Sequence, residues 1–446
     1  VLRSVRGPAA GAALLAVLAA GCERKQEASQ APAPPKGAGV AVSSPASPPP
    51  APVPPGSIGD IPGKKSTDPQ IAVGNLEAQI VGGQHLIDKN LNLPLAYTSL
   101  CALYLQHGQY LGQLRDYDRA DEMAIKELAL KQDGQAYLDR ASVRQTFHQF
   151  AEALTDLDEA QKRHAKMGQV LKLRAGIWQA MGRTQEALNL RSAIADKEPD
   201  IMTLGTLATV LADAGRETEA DALLARALPI YADVSPFPIA WVDFQRGLMW
   251  EKAGQLEKAK TFFQYAVARL PQYAAAEGHL AGVEAALGDR PAAIERLRKL
   301  TLSSDDPEYV GQLSAILAQA GKADEAKALL AQAEAGFDDL IKRHPEGFAD
   351  HAARFWLDVA KDPKKASELA QLNLKNRKSR DAFELSMTAA LAAGDNAVAC
   401  TVADEAMAAL HDVQKLRYLA GRAYAACGKP DKAAALEKAP AQAATP

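Results

Sequence analysis

Residues 240–272 read AWVDFQRGLMWEKAGQLEKAKTFFQYAVARLPQ, and the spacing inside that stretch decides the fold. Gly254 ends a first helix, where a left-handed residue is needed and glycine takes that conformation without steric cost. Ala259 sits on a second helix, and Gly247, twelve residues before it, sits on the first. Two small residues facing one another let antiparallel helices approach to about 8 Å. Trp250 and Phe263 then fill the seams to neighbouring units, and Pro271 stops the second helix.

The same pattern recurs along the chain. Seven times a glycine is followed five residues later by an alanine: Gly182 and Ala187, Gly215 and Ala220, Gly254 and Ala259, Gly288 and Ala293, Gly321 and Ala326, Gly394 and Ala399, Gly428 and Ala433. Ala120 and Ala153 lead the series and Ala366 fills its gap, so the intervals run 33, 34, 33, 39, 34, 33, 40, 33 and 34. Ten units of one register follow. The small partner on the first helix is Gly108, Ala141, Ala175, Ala208, Gly247, Ala281, Ser314 or Gly421, whereas Arg354 and Met387 replace it in units eight and nine. The two long intervals place insertions near residues 229–238 and 336–347, where the stack should bend or a helix lengthen. In the first unit the turn within HGQYLGQLRDY is ambiguous.

This pattern resembles the tetratricopeptide repeat, over about residues 95–440, with Gly247, Trp250, Gly254, Ala259, Phe263, Ala266 and Pro271 matching its consensus places. The resemblance implies an all-α solenoid of about ten hairpins with a concave groove, in which each hairpin hides its apolar face only by stacking on the next. Ten layers of about 10 Å would make a rod of the order of 100 Å. Asp68 and Pro69 begin a helix as N-cap and first residue, and the segment 70–94, with Ile71, Leu76, Ile80 and Ile87, reads as a front cap. No capping helix follows Ala433, and residues 441–446 form a tail, so the back face is expected to be open for a partner or for self-association.

The front of the chain differs in kind. Of 26 prolines, 13 lie within the first 70 residues. The opening VLRSVRGPAAGAALLAVLAAGC carries Arg3 and Arg6, then an uncharged apolar run from Ala9 to Ala20, which is a bacterial secretory signal pattern. The run is shorter than the roughly 20 apolar residues of a transmembrane helix. Leu18-Ala19-Ala20-Gly21-Cys22 resembles the lipobox of bacterial lipoproteins, although its leucine falls one place early. That resemblance implies a signal over residues 1–21, lipid on Cys22 and, with Glu23 rather than Asp after the cysteine, an outer-membrane anchor on the periplasmic face. Residues 22–69 are too poor in large apolar groups to offset the entropy of ordering. As a coil their span is roughly 40 Å, so they read as a tether.

Composition narrows the function. Lys plus Arg is 51 and Asp plus Glu is 54, so 51 − 54 gives a formal charge of −3, too near neutral for a chain devoted to nucleic acid. The apolar share is 48% but only 6% is aromatic, which favours close-packed helices over the roughly three globular domains suggested by 446 residues. Cys22, Cys101, Cys400 and Cys427 contain no CxxC pair. Cys400 and Cys427 fall on neighbouring helices, with buried thiols preferred to a bond between them. The eight histidines (His85, His107, His148, His164, His279, His344, His351, His411) form no HExxH pair and read as surface residues; no nucleotide-loop or nucleophile-elbow motif occurs. No enzyme activity, metal or cofactor is expected.

Partner binding is the expectation that remains. The repeat family lines its groove from places two, five, nine and twelve of the unit, which here implies Lys172, Gln179, Trp241, Phe244, Glu251, Phe348, His351, Phe355, Asp358, Lys415, Tyr418 and Arg422. The aromatic members suit an apolar or extended peptide, with packing between repeats the preferred alternative. The Lys and Asn carboxylate clamp of chaperone-binding members is missing, since place nine is Gly176 and Thr209 in units three and four. A basic stretch, Lys361, Lys364, Lys365, Lys375, Arg377, Lys378 and Arg380, reads as a solvated edge or a surface for an anionic polymer. The expected role is therefore an envelope scaffold or assembly factor for protein partners; the alternative is a peptidoglycan- or glycan-binding lipoprotein that regulates wall synthesis.

Overall fold

The computed structural model describes residues 65–89 and 93–438. The signal, Cys22 and most of the tether lie outside the described residues, as does the tail. Among the described residues there are 21 helices and no strand. A front helix α1 (Pro69–Asp88) is followed by ten hairpins. Hairpin 1 is α2 (Pro94–Leu111) and α3 (Arg115–Leu130), hairpin 2 is α4 (Gly134–Thr146) and α5 (Phe150–Lys162), and hairpin 3 is α6 (Met167–Ala180) and α7 (Thr184–Lys197). Hairpin 4 is α8 (Ile201–Asp213) and α9 (Glu217–Ile230), hairpin 5 is α10 (Pro236–Lys252) and α11 (Leu256–Arg269), and hairpin 6 is α12 (Ala274–Ala286) and α13 (Arg290–Ser303). Hairpin 7 is α14 (Pro307–Gln319) and α15 (Ala323–Arg343), and hairpin 8 is α16 (Pro345–Asp358) and α17 (Pro363–Asn376). Hairpins 9 and 10 are α18 (Arg380–Ala393) with α19 (Asn396–Ala409), and α20 (Gln414–Ala426) with α21 (Pro430–Lys438).

The punctuation acts as its chemistry dictates. Asp68 caps α1 by accepting from the backbone N–H groups of Gln70 and Ile71. All seven turn glycines have positive φ, between 73° and 97°. The paired alanines from Ala120 to Ala399 are buried, and Gly247 lies so close to Phe263 that a Cβ there would meet the ring at 2.4 Å. In hairpin 1 the turn falls at Gly112, with φ 66°. The second insertion lengthens α15 to 21 residues, and the first is shared between the loop 231–235 and the 17-residue α10.

The stack is not an open rod. Hairpin 1 meets hairpins 6 and 7: Ser304 donates to the Gly112 carbonyl at 2.6 Å, and Asp305 accepts from the backbone N–H of Leu114 at 2.5 Å. Hairpin 2 meets hairpin 8, with Phe147 stacked at 3.7 Å on His344, the residue joining α15 to α16, and Nδ1 of His148 bonded at 3.2 Å to the Glu346 carbonyl. Hairpin 3 meets the linker between hairpins 8 and 9, where the Lys378 N–H donates to the Met181 carbonyl at 3.1 Å. Ahead of α1, the Thr67 N–H donates to the Val234 carbonyl at 2.7 Å. The superhelix thus closes on itself because a second set of apolar faces, on first helices from distant hairpins, is buried by closure. Tyr110 of α2 shows this, with its ring centroid 4.9 Å from those of both Phe237 and Tyr273.

Candidate functional site

The inner faces of the first helices are the candidate binding surface, and closure divides them into a filled part and an open part. At hairpins 5 and 6 the space is filled. Trp241 is 1% exposed and lies against Gly205, while Phe244 packs among Phe263, Tyr273 and His279 at centroid distances of 5.0–5.8 Å. Glu251 is bonded to Nδ1 of His279 at 2.7 Å. At hairpin 8, Phe355 is buried and stacked on Phe337 at 4.6 Å, and Phe348 is half-buried. The aromatic side chains of hairpins 5 and 8 therefore serve the molecule's own interior.

The polar members are held by neighbours. Lys172 reaches Glu198 at 3.6 Å, and Gln179 Nε2 donates to Thr209 at 3.2 Å and to Asp213 at 2.7 Å. Lys415 pairs with Glu384. Tyr418, 66% exposed, Arg422 and Asp358 remain open to solvent. Tyr418 is the one aromatic member of the set that closure leaves free.

Between hairpins 2, 7 and 8 the interior is ionic. Nδ1 of His351 lies 2.6 Å from Glu308, and Arg377 donates to Asp350 at 2.6 Å. Burial disfavours the charged form of His351, but Asp350 and Glu308 outweigh it and hold the imidazole up at about 9. His148 is pushed down to about 4 by burial and by the Arg377 charge. Asp350 is held well below the usual carboxylate range: burial opposes this, and His351 and Arg377 overcome it. Asp306, buried near Glu308, is pushed up to about 7. A second ionic group joins hairpins 4, 5 and 9, where Lys252 reaches Asp381 at 2.9 Å and Asp213 at 3.8 Å.

Two sequence expectations are corrected here. His148 and His279 are buried rather than superficial, and His107, His344 and His351 each bond a carboxylate, from within hairpin 1, across closure and from the adjacent hairpin respectively. Cys400 on α19 and Cys427 just beyond α20 form a disulfide with Cα atoms 6.2 Å apart, while Cys101 is a buried thiol. Most of the basic stretch lies at an exposed edge, with Lys361, Lys364, Lys375 and Lys378 open to solvent, and four of its seven members are ion-paired. Lys365 reaches Asp338 at 2.6 Å, Arg380 reaches Glu384 at 3.0 Å, Lys378 pairs with Glu405, and Arg377 is buried on Asp350. Those partners come from an adjacent hairpin, from the other helix of the same hairpin, or from one turn along the same helix.

The sequence offered no signal for the clasps between front and rear. His148 and Glu346 are 198 residues apart, and no local motif marks either. Among the described residues no group of three or more His, Cys, Asp and Glu is placed to hold a metal ion. No helix there is long and apolar enough to cross a membrane.

Residues 252–317 match the family model of the tetratricopeptide repeat, and the chain is a protein containing that repeat. No curated protein matches. Among solved structures, a tetratricopeptide repeat protein from Parabacteroides merdae is similar at 14% identity, over 68% of this chain and 99% of that one, with a TM-score of 0.38. Yeast Tom70 is similar at 15% identity over 82% and 91% of the two chains, TM-score 0.39. The human IFIT1 dimer with PPP-AAAA is similar at 13% identity over 82% and 86%, TM-score 0.45.

Proposed function

We propose that this protein is a non-enzymatic scaffold for protein partners in a bacterial cell envelope, held to the outer membrane by lipid on Cys22. The observation that carries the scaffold reading is the fold: ten stacked hairpins account for nearly all the described residues beyond α1, which leaves no separate domain for chemistry. The exposed inner face of hairpin 10, with Tyr418 and Arg422, is the proposed partner surface, because the corresponding faces of hairpins 5 and 8 are filled. An exposed tyrosine beside an arginine has the chemistry of an interface anchor. Crosslinking in intact cells followed by mass spectrometry tests this. Tyr418→Ala with Arg422→Ala should remove the principal crosslinked partner without changing the melting temperature, and an unchanged partner set rejects hairpin 10 as the surface.

Anchoring rests on the lipobox resemblance and has its own test. Cys22→Ala should move the protein from the membrane fraction to the soluble fraction, and persistent attachment refutes lipidation at Cys22. A wall-polymer role has weaker support, since four of the seven cations of the basic stretch are engaged by acids of the chain itself. Salt-resistant sedimentation with purified sacculi would favour it over the protein scaffold.

A further inference from the structure

Four residues after the close-packing alanine, the second helix of hairpins 1–9 directs a side chain into the seam of its hairpin. In hairpins 1, 2 and 4–9 that residue is apolar: Ala124, Leu157, Leu224, Phe263, Leu297, Leu330, Ala370 and Ala403. In hairpin 3 it is Arg191, which is only 3% exposed. Burial lowers its guanidinium to about 10, with Asp213 opposing the shift, so it is charged at neutral pH. Its Nε and Nη2 have no hydrogen-bond partner. An unpaired charge away from water is among the most destabilising groups an interior can hold.

The surroundings are polar and converge on one point. Gly176 on α6 brings its backbone close to both groups: a Cβ there would crowd Nη2 of Arg191 at 3.4 Å and Nε2 of Gln145 at 3.2 Å, with the unpartnered Oε1 of Gln145 at 3.7 Å. Gln145 is itself only 3% exposed. Asp213 does not hydrogen-bond Arg191, since its carboxylate is engaged by Gln179 and Lys252. Turning the Gln145 amide over would supply one acceptor but no countercharge.

We propose that Arg191 and Gln145, meeting over Gly176, form a binding site for a small oxyanion of the carboxylate or phosphate class. Nε–H and Nη2–H lie on the same edge of a guanidinium, and that edge matches two oxygens of such an anion. These are the two nitrogens left free here. Gln145 Nε2 supplies a third donor from α4, and Gly176 places no side-chain atom between the two donor groups. The site is independent of the hairpin 10 surface, and hairpin 3 holds a charged ligand where its sister hairpins hold hydrocarbon.

The test is thermal unfolding of the full chain at constant ionic strength, with chloride replaced by inorganic phosphate in one arm and by acetate in the other. Wild type should gain a saturable rise in midpoint of about 2 °C or more in at least one arm, as expected for a ligand that binds only the folded state. Phosphate alone, acetate alone, or both acting assigns the anion class. Arg191→Leu, which restores the sister residue, should melt higher than wild type in chloride and lose the anion response. Gly176→Ala retains the guanidinium but sets a methyl group against both donors, and should also lose the response. Arg226→Leu, at an exposed arginine, should retain it. A wild-type midpoint indifferent to both anions overturns the site, as does an equal shift in Gly176→Ala.

Discussion

Gly182 and Gly215 occupy the same place in successive hairpins and have similar backbones, φ 84° and 77°, yet their surroundings differ. A Cβ at Gly215 would meet nothing within 4 Å, whereas one at Gly182 would lie 2.4 Å from the carbonyl oxygen of Lys378. Gly215→Ala should therefore cost only the left-handed conformation, about 1 kcal/mol. Gly182→Ala should cost at least about twice that, because it also drives apart two hairpins joined through the Lys378 N–H to Met181 bond. Urea midpoints of the two variants check this, and equal losses would mean that hairpin 3 does not bear on the linker 377–379 in solution. The glycine, its turn and its alanine partner were legible in the sequence because they answer to local sterics. The second contact at Gly182 was not, because it depends on a segment nearly 200 residues away.

At the scale of elements, each hairpin is a poor fold alone and a good one in a stack, and the last has only one neighbour. Hairpin 10 compensates with the Cys400–Cys427 disulfide, which closes a separation of 27 residues. By the loop-entropy relation such a crosslink contributes about 3–4 kcal/mol, less any strain. Cys400→Ser with Cys427→Ser should lower the stability of hairpins 9 and 10 by up to that amount and leave hairpins 4–6 unaffected. Hydrogen exchange resolved along the chain measures this; uniform loss of protection would mean the stack unfolds as one unit. The proximity of the two cysteines followed from the repeat register, but their bonding needed the actual approach of α19 to the end of α20. The insertions were also legible, as intervals of 39 and 40, although only the packing showed that one lengthens α15.

For the whole molecule, closure of front on rear places titratable groups at the seam of hairpins 2, 7 and 8. His148 is depressed from 6.5 to about 4, so the unfolded chain binds more protons between these values and stability falls as pH drops through that window. His351 is raised from 6.5 to about 9, so its contribution is complete below 6.5 and is lost as pH rises through 9. Stability from this pair should peak near pH 6.5 and decline on both sides. Denaturation midpoints across pH 4–10 measure the curve. His351→Gln should flatten the alkaline limb selectively, and an unchanged limb would show that His351 is not charged in the folded state.

The sequence alone determined the unit, its number and its register. Small residues, turn glycines and seam-filling side chains act over a few residues or between adjacent helices, where spacing along the chain is spacing in the fold. It also marked the groove positions without showing their fate. Only the tertiary structure decided that the stack closes, that Trp241, Phe244 and Phe355 are interior and Tyr418 open, and that His148 faces hairpin 8. Small differences in packing angle accumulate over ten hairpins, and whether the sum leaves a rod or a closed superhelix is fixed by contacts between residues remote in sequence.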